Sequence, residues 1–424
     1  MTKTKADLLI TNANELITLH GWNQKPRLDV QMRDLGIIRK GSIAIHNGKI
    51  VAIGKTSEID KKFSGEESMN ATGEVVMPSF VDPHTHLVFA GSREDEFEML
   101  IEGASYMEIL RKGGGILETV RETRKAGEEK LVENCKKTLD VMLEQGTTTV
   151  EAKSGYGLNL KDEIKCLKVI KRLDKEHPVT VVSTFLGAHT IPPEYERNAD
   201  EYVKLVIDEM IPAVANQKLA EFCDVFCEKG VFNKDQSRQI LLRGKKYGLK
   251  PKLHADEMTH YEAAELAAEV EAVSAEHLLF ASNTGLKAMV KKHVMAVLLP
   301  AAAFSLMLSK YANARKMIDI GVAVALGTDF NPSCWVENQQ VIISLACRQM
   351  RMTPAEAITA TTINASHAIN RAHEIGSLEP GKKADVVILN VQNHKFLGYR
   401  FGVNLVDKVI KGGKLVVEQG KIIN

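Results

Sequence analysis

Short apolar runs separated by turn signals predict β-strands at both ends of the chain. Residues 41–48 and 49–54 alternate apolar and polar side chains around Asn47-Gly48, a dipeptide typical of a two-residue hairpin. Residues 409–417 repeat this pattern around Gly412-Gly413. Neither end alone has enough strands for a stable core. We therefore expect the two ends to combine into one small β-sandwich, with the long middle of the chain inserted between them.

The middle of the chain alternates strand-like runs with amphipathic stretches such as residues 127–144 and 162–176. This alternation, repeated eight times, is typical of the α/β class and predicts a parallel (β/α)₈ TIM barrel. An open doubly wound sheet is the alternative, which periodicity does not exclude. No Gly-x-Gly-x-x-Gly follows an early strand, which counts against a doubly wound sheet that binds a dinucleotide. The predicted strands cover residues 75–82, 147–152, 179–186, 222–227, 250–254, 272–277, 296–300 and 322–327.

This pattern divides the chain into two predicted domains. Residues 1–74 and 376–424 form the β-sandwich, and residues 75–375 form the barrel. A chain of 424 residues is long enough for such a barrel with a second, smaller unit.

Charge and composition exclude some classes of function. The net charge is +1, without long runs of like charge, so neither a nucleic-acid nor a membrane-surface partner is expected. The longest apolar stretches, such as residues 294–304, are too short to span a bilayer. Six scattered cysteines indicate reduced thiols, and residues 1–7 lack the apolar core of a signal peptide. We therefore expect a cytoplasmic protein.

Polar side chains stand at the ends of several predicted barrel strands, where the active site of such a barrel lies. The first strand leads into Asp-Pro-His84-Thr-His86, the fifth ends at His254, and the eighth leads into Gly-Thr-Asp329. Residues two apart on a strand point to the same side, so both histidines of the first strand can face one point. The four side chains predict a site for one divalent ion, zinc or iron.

Each of these residues also has an ordinary structural explanation. A single His-x-His, or a lone histidine such as His254 or His277, is more often a hydrogen-bonded structural residue than a metal ligand. An aspartate that follows a strand, such as Asp329, commonly caps a helix. Their joint occurrence at the ends of different strands favours metal binding.

Longer motifs carry a resemblance to a known family. Together with Val81-Asp-Pro, which precedes His84, these motifs resemble those of the amidohydrolase superfamily and, within it, of the imidazolonepropionase family. The resemblance runs from about residue 7 to the end of the chain. A departure is Ser333-Cys334, where the family commonly has a small pair such as Gly-Thr. The motifs are His84-Thr-His-Leu-Val-Phe-Ala-Gly-Ser-Arg93, Glu151-Ala-Lys-Ser-Gly-Tyr-Gly157, Phe185-Leu-Gly-Ala-His-Thr190, His254-Ala-Asp-Glu257, Ser274-Ala-Glu-His277 and Thr328-Asp-Phe-Asn-Pro332.

The resemblance implies a metal-dependent hydrolase of histidine degradation. Its substrate would be 4-imidazolone-5-propanoate, which water opens to N-formimidoyl-L-glutamate in the third step of that pathway. The resemblance also implies a β-sandwich built from both chain ends. A homodimer is expected for an enzyme of this type.

The propanoate group of that substrate requires a cation. Arg93 offers a planar fork that can bind a carboxylate through two hydrogen bonds, and Tyr156 can add a hydroxyl donor. The alternatives are a surface ion pair of Arg93 with Glu94 or Asp95, and simple packing of Tyr156. The resemblance further implies that His189 binds the substrate ring and that Asn331, Ser333 and Cys334 contact the formimidoyl-glutamate part.

Water needs activation, because its pKa of about 16 falls towards about 7 only on a bound metal ion. In this hypothesis Asp329 is a ligand that also accepts the proton of the water. The resemblance implies that His277 orients the water and stabilises charge, and that Glu257 binds a ring nitrogen and carries a proton to it. The roles of Glu257 and His277 could be exchanged. Lys153 follows the second strand, whereas the bridging lysine of two-metal relatives lies on the fourth, so one ion is expected.

Two rival functions fit part of this pattern. A mononuclear deaminase of a nucleobase would use the same ligands but would not need Arg93. A catalytically inactive barrel that serves as a scaffold belongs to another class, although inactive relatives usually lack ligands that are present here.

Overall fold

The computed structural model describes residues 3–21, 24–104 and 114–423. Before the barrel lie strands β1 (Thr4–Ala13), β2 (Glu15–Ile17), β3 (Ile37–Ile38), β4 (Gly41–His46), β5 (Lys49–Lys55), β6 (Phe63–Asn70) and β7 (Val75–Pro78). The barrel strands are β8 (Phe80–Thr85), β9 (Thr147–Lys153), β10 (Thr180–Ala188), β11 (Phe222–Cys227), β12 (Lys250–Ala255), β13 (Ser274–His277), β14 (Met295–Leu298) and β15 (Val324–Leu326). After it come β16 (Val386–Leu389), β17 (Val406–Lys411), β18 (Lys414–Glu418) and β19 (Lys421–Ile422).

Helices follow most barrel strands and cover the outside of the barrel. A short π-helical segment, Val206–Met210, joins two of them. The α-helices span Thr56–Lys62, Glu94–Ile101, Ile116–Lys125, Glu128–Glu144, Leu160–Glu176, Ala199–Leu205, Ile211–Asn216, Lys234–Lys246, Ala263–Glu269, Asn283–Lys292, Pro300–Ser305, Ala314–Asp319, Gln339–Gln349, Pro354–Ala360, Ile363–Ala368 and Lys395–Tyr399.

The eight barrel strands confirm the predicted parallel barrel. They pair in sequence order from β8 to β15, each parallel to the next. Backbone hydrogen bonds close the ring: Asp329 N–H donates to His84 O at 3.1 Å, and His86 N–H donates to Phe330 O at 2.8 Å. The open doubly wound sheet is therefore excluded. Closure of the ring also places β8 beside Asp329 and Phe330, which follow β15.

Strands from both chain ends form the predicted sandwich. One sheet has the order β5-β4-β1-β6, and the other has the order β19-β18-β17-β16-β7-β2-β3. Apolar side chains of both sheets, among them Ile10, Ile45, Val386 and Ile410, share one buried core. The β4–β5 hairpin turns at Asn47-Gly48, whose positive φ angles of 50° and 72° are those that a primed turn needs.

Apart from the first barrel strand, the strand ends lie within two residues of the prediction, and two of the differences have a clear physical cause. The predicted strand at residues 75–82 is two strands, because Val75–Pro78 pairs with β2 and β16 in the terminal sheet and the barrel strand begins only at Phe80. Pro300 begins a helix instead of ending a strand, since the first turn of a helix tolerates its missing N–H. The division into domains at residues 75 and 376 stays a prediction, and the strand pairing favours a first boundary after Pro78.

Two further observations concern the environment of the chain. Among the residues that the structure describes, no helix combines the length and apolar composition that a bilayer crossing needs. All six cysteines are free thiols, as the scattered spacing predicts, and five of them are buried.

Candidate active site

The carboxyl ends of the barrel strands bring distant polar residues to one point. His84 lies on β8 and His86 follows it, while His254 lies on β12. Asp329 follows β15 and adopts a positive φ of 54°, which turns the backbone away from the strand direction. The closing hydrogen bonds to His84 and Phe330 hold this turn against the end of β8.

Four of these side chains converge with the spacing of a metal site. The Nε2 atom of His86 lies 3.3 Å from Nε2 of both His84 and His254. Asp329 Oδ1 lies 3.3 Å from His84 Nε2 and 3.4 Å from His86 Nε2. A tetrahedral ion with metal–nitrogen bonds of about 2.0–2.1 Å separates its ligand atoms by about 3.3–3.4 Å. These distances have the spacing of ligands to one ion, and the same histidines also form groups within 4.8 Å with His277 and with His189.

The far sides of two of these rings meet carboxylates. His84 Nδ1 contacts Glu276 Oε2, and His254 Nδ1 lies 3.1 Å from Asp224 Oδ2. Each carboxylate oxygen lies where it can accept an Nδ1 proton, and that hydrogen bond would direct the Nε2 lone pair of the ring into the site. Imidazole nitrogens that face one another at such distances repel unless a proton or a cation lies between them. This arrangement independently supports a metal site.

Glu257 and His277 lie beside this cluster. His277 Nε2 is 3.4 Å from Glu257 Oε2, and a positive φ of 70° turns His277 from the end of β13. Burial raises the pKa of Glu257 to about 8, helped by the nearby Asp329 carboxylate. Burial holds the pKa of His277 well below its usual 6.5. A carboxyl group that can carry a proton near neutral pH thus lies against a neutral imidazole.

His189 and Tyr156 form another wall of the site. The ring of His189 stacks on that of His86 with centroids 4.8 Å apart, and its Nδ1–H donates to Gly155 O at 3.1 Å. Its Nε2 is therefore left as an acceptor. The Tyr156 ring lies 5.3 Å from that of His189, and the residue is 4% exposed. Both side chains lie within reach of a molecule bound at the cluster.

Arg93 makes an ion pair, but with neither of the residues that the sequence suggested. Its partner is Glu96, with Nε 2.7 Å from Oε2, instead of Glu94 or Asp95. The reason is the helix that begins at Glu94, which places Glu96 one turn from Arg93 on the same side. Glu96 Oε1 also accepts the N–H of Gly115 at 2.6 Å. The Arg93 side chain is only 13% exposed, so it is partly buried instead of lying on the surface.

The loop after β15 uses its polar groups internally. Asn331 Oδ1 accepts the N–H groups of Ser333 and Cys334 at 2.8 and 3.2 Å, and Asn331 Nδ2 donates to Asp329 O at 2.8 Å. Asn331 thus shapes the loop that carries Asp329. The predicted contacts of Asn331, Ser333 and Cys334 with a ligand stay predictions, and the two occupied N–H groups count against backbone donation to it.

Sequence reasoning missed a group of charged residues beneath the histidines, which we call the charged layer. All five side chains are fully buried and lie on barrel strands. The sequence did contain one signal for these residues. Side chains two apart on a strand face the same side, and Lys252 and Glu151 each precede another polar residue by two positions. The charged layer consists of Glu151, Lys153, Asp224, Lys252 and Glu276.

The chain is similar to known proteins in both sequence and fold. Residues 247–416 match the amidohydrolase family model. Imidazolonepropionase of Geobacillus kaustophilus is 55% identical over 420 residues, which cover 98% of this chain and 99% of that protein. Imidazolonepropionase of Clostridium tetani is 48% identical over 418 residues, with 98% and 99% covered. A zinc-bound adenosine deaminase from Xanthomonas campestris superposes with a TM-score of 0.73 at 18% identity, covering 100% of this chain and 95% of that one. At that identity the likeness concerns the fold alone.

Proposed function

Because the chain belongs to the imidazolonepropionase family of amidohydrolase enzymes, we propose that it opens the ring of 4-imidazolone-5-propanoate with water. The product would be N-formimidoyl-L-glutamate, and the reaction would be the third step of histidine degradation. One observation carries the proposal for the site: His86 Nε2 lies 3.3–3.4 Å from donor atoms of His84, His254 and Asp329, and Asp329 Oδ1 lies 3.3 Å from His84 Nε2.

We propose that His84, His86, His254 and Asp329 hold one divalent ion, zinc or iron. Imidazole and carboxylate groups accept either metal. The ion would supply Lewis-acid chemistry, which makes water a usable nucleophile at neutral pH. Lys153 supports a single ion, because its Nζ is bound by Glu151, Asp224 and Glu276 at 2.8–3.0 Å and is therefore unsuited to bridging two ions.

The substrate is bound, in this proposal, by groups at the barrel mouth. The guanidinium of Arg93 takes the propanoate carboxylate, and Tyr156 adds its hydroxyl as a donor. Arg93 can do this without losing Glu96, since a guanidinium carries five donors. The Nε2 acceptor of His189 faces an N–H of the substrate ring.

The proton transfers fall to three side chains. Asp329 accepts a proton from the attacking water while the water oxygen bonds to the carbonyl carbon of the ring. His277 orients the water and stabilises the charge that develops on the carbonyl oxygen. Glu257 delivers a proton to the ring nitrogen as its bond to the carbonyl carbon breaks. Its raised pKa of about 8 supports this role, because the carboxyl group can hold the proton near neutral pH.

The direct test is turnover of the proposed substrate. Purified protein should remove the ultraviolet absorbance of imidazolone propanoate, and a chelator should stop the reaction. If the protein instead hydrolyses the amine of a nucleobase, the deaminase alternative is supported. A deaminase would not need Arg93, because its substrate has no propanoate group. Identity of about half over full length with imidazolonepropionases disfavours an inactive scaffold.

The location and assembly of the enzyme are also part of the proposal. Six free thiols support a cytoplasmic enzyme, because such thiols persist in a reducing compartment. The homodimer stays a prediction, and size-exclusion chromatography with light scattering would test it.

A further inference from the structure

The charged layer occupies a position that barrels of this kind usually fill with apolar side chains. Interior layers of a (β/α)₈ barrel consist mostly of Val, Ile and Leu. Below the charged layer this holds, since Val182, Phe222 and Val297 form an apolar cluster. Lys252 Nζ lies 5.3 Å above the centre of the Phe222 ring. The charged layer therefore separates the apolar floor of the barrel from the histidines at its mouth.

Stability does not explain these charges. Burial of each ionised group costs several kcal/mol, and well-packed apolar residues often replace a buried ion pair without loss of stability. Three carboxylates and two ammonium groups also leave one negative charge in the interior. A residual negative charge is unfavourable there unless a cation lies close by. The charge therefore complements the divalent ion that the neighbouring ligands are proposed to hold.

Contacts within the charged layer lead directly to two of the ligands. Lys153 Nζ lies 2.8 Å from Asp224 Oδ2 and 3.0 Å from Glu276 Oε2. These two oxygens are the atoms that contact His254 Nδ1 and His84 Nδ1. One ammonium group thus joins the two carboxylates that orient two rings on different strands.

Glu276 is also fixed on its other side. Its Oε1 accepts hydrogen bonds at 3.0 Å from Lys252 Nζ and from Ser274 Oγ. Oε2 is therefore held in one direction, towards His84. Glu151 differs from Asp224 and Glu276. Its Oε1 contacts Lys153 at 2.9 Å and Lys252 at 3.3 Å, and within the described part of the chain its carboxylate pairs with no histidine of the proposed metal site.

We propose that Glu276 and Asp224 are positioning residues of the metal centre, and that Lys153 holds them in register. By accepting the Nδ1–H groups of His84 and His254, they fix the ring orientations and direct both Nε2 atoms to one ion. The inference rests on the proposed metal centre and deepens it. Groups of this kind commonly change metal affinity by about 10- to 100-fold when they are removed.

The test is metal affinity in matched variants. Apo-protein is titrated with Zn²⁺ against a chromophoric chelator, for the wild type, Glu276→Gln, Asp224→Asn and Glu151→Gln. The first two variants should bind Zn²⁺ about 10- to 100-fold more weakly than the wild type. Glu151→Gln loses the same charge from the same charged layer but removes no contact to a proposed ligand, so its affinity should fall clearly less than that of the first two variants. Visible spectra of Co²⁺-loaded protein should change in the first two variants alone.

Glu276→Asp separates geometry from charge. It keeps the charge of the charged layer but withdraws the carboxylate from His84 by one methylene, so Zn²⁺ affinity should also fall. Wild-type affinity in Glu276→Asp and Asp224→Asn would overturn the proposal, as would equal losses in Glu151→Gln. A wild-type protein that binds no metal would instead refute the metal centre itself. If Glu276→Gln does not fold, Asp224→Asn and Glu276→Asp carry the test.

Discussion

The Nε2 atoms of His86 and His254 lie 3.3 Å apart, although 168 positions separate the two residues in the chain. Such an approach of two imidazole nitrogens is favourable only if a proton or a cation lies between them. Asp224 Oδ2 lies 3.1 Å from Nδ1 of His254, on the far side of that ring from the site. The barrel therefore holds this pair in an arrangement that is suited to an ion.

Removal of the ion should abolish activity and reduce stability together. Ligands that bind only the folded state stabilise it by about 4 kcal/mol at a thousand times their Kd. Prolonged dialysis against a chelator should therefore lower Tm as well as kcat, and added Zn²⁺ or Fe²⁺ should restore both. Elemental analysis before dialysis should give one ion per chain. Full turnover by metal-free protein would contradict the proposed centre.

Replacement of Arg93 should weaken substrate binding more than it slows the chemical step. A hydrogen bond to a charged group contributes about 1.5–3 kcal/mol, so Arg93→Ala should raise KM by about 10- to 100-fold with a smaller change in kcat. Arg93→Lys keeps the charge without the planar fork, so its KM should lie between those of the wild type and Arg93→Ala. An unchanged KM in Arg93→Ala, measured on imidazolone propanoate, would refute the role of Arg93 and favour the deaminase alternative.

Glu257 should affect the chemical step itself. Glu257→Gln keeps the size of the side chain but cannot carry a proton, so kcat should fall by about 10²- to 10⁴-fold with little change in KM. A matched control is Glu262→Gln, five residues later, where the side chain is 57% exposed and pairs with Lys234. This control should retain wild-type kcat. Equal kcat in both variants would exclude proton transfer by Glu257.

The sequence allowed the candidate ligands and the barrel to be predicted because both depend on local patterns. His84 and His86 are two apart on one strand, and eight strand–helix units repeat in order. The hairpin at Asn47-Gly48 was equally predictable, since the turn requires positive φ at both residues. Such features need no knowledge of distant contacts.

The charged layer and the partner of Arg93 could not be predicted in this way. Asp224 looks like a single polar residue within an apolar run, Lys252 belongs to an alternating strand that could equally face solvent, and only closure of the barrel places both inside it. The break between Val75–Pro78 and Phe80–Thr85 depends on pairing with strands from both chain ends, which no local pattern encodes. Glu96 became the partner of Arg93 because a helix begins at Glu94.

The position of His189 provides a final prediction, which concerns Gly155. This glycine has a φ of +112°, and a Cβ atom there would lie 2.9 Å from His189 Nδ1 and 3.0 Å from Leu186 O. Since Leu186 O belongs to a barrel strand, the ring of His189 would have to move from its stacked position on His86. Gly155→Ala should therefore lower kcat/KM, on the order of 10²-fold for a displacement of about 1 Å.

The control for Gly155→Ala is Gly248→Ala. Gly248 has a similar positive φ of +85°, but a Cβ atom there would have nothing within 4 Å. Both variants should lose about 1–2 kcal/mol of unfolding free energy from the left-handed backbone, measured by urea denaturation. Only Gly155→Ala should also lose kcat/KM, because only there does the added methyl group displace a side chain of the site. Equal kcat/KM in the two variants would mean that the position of His189 does not matter for the reaction.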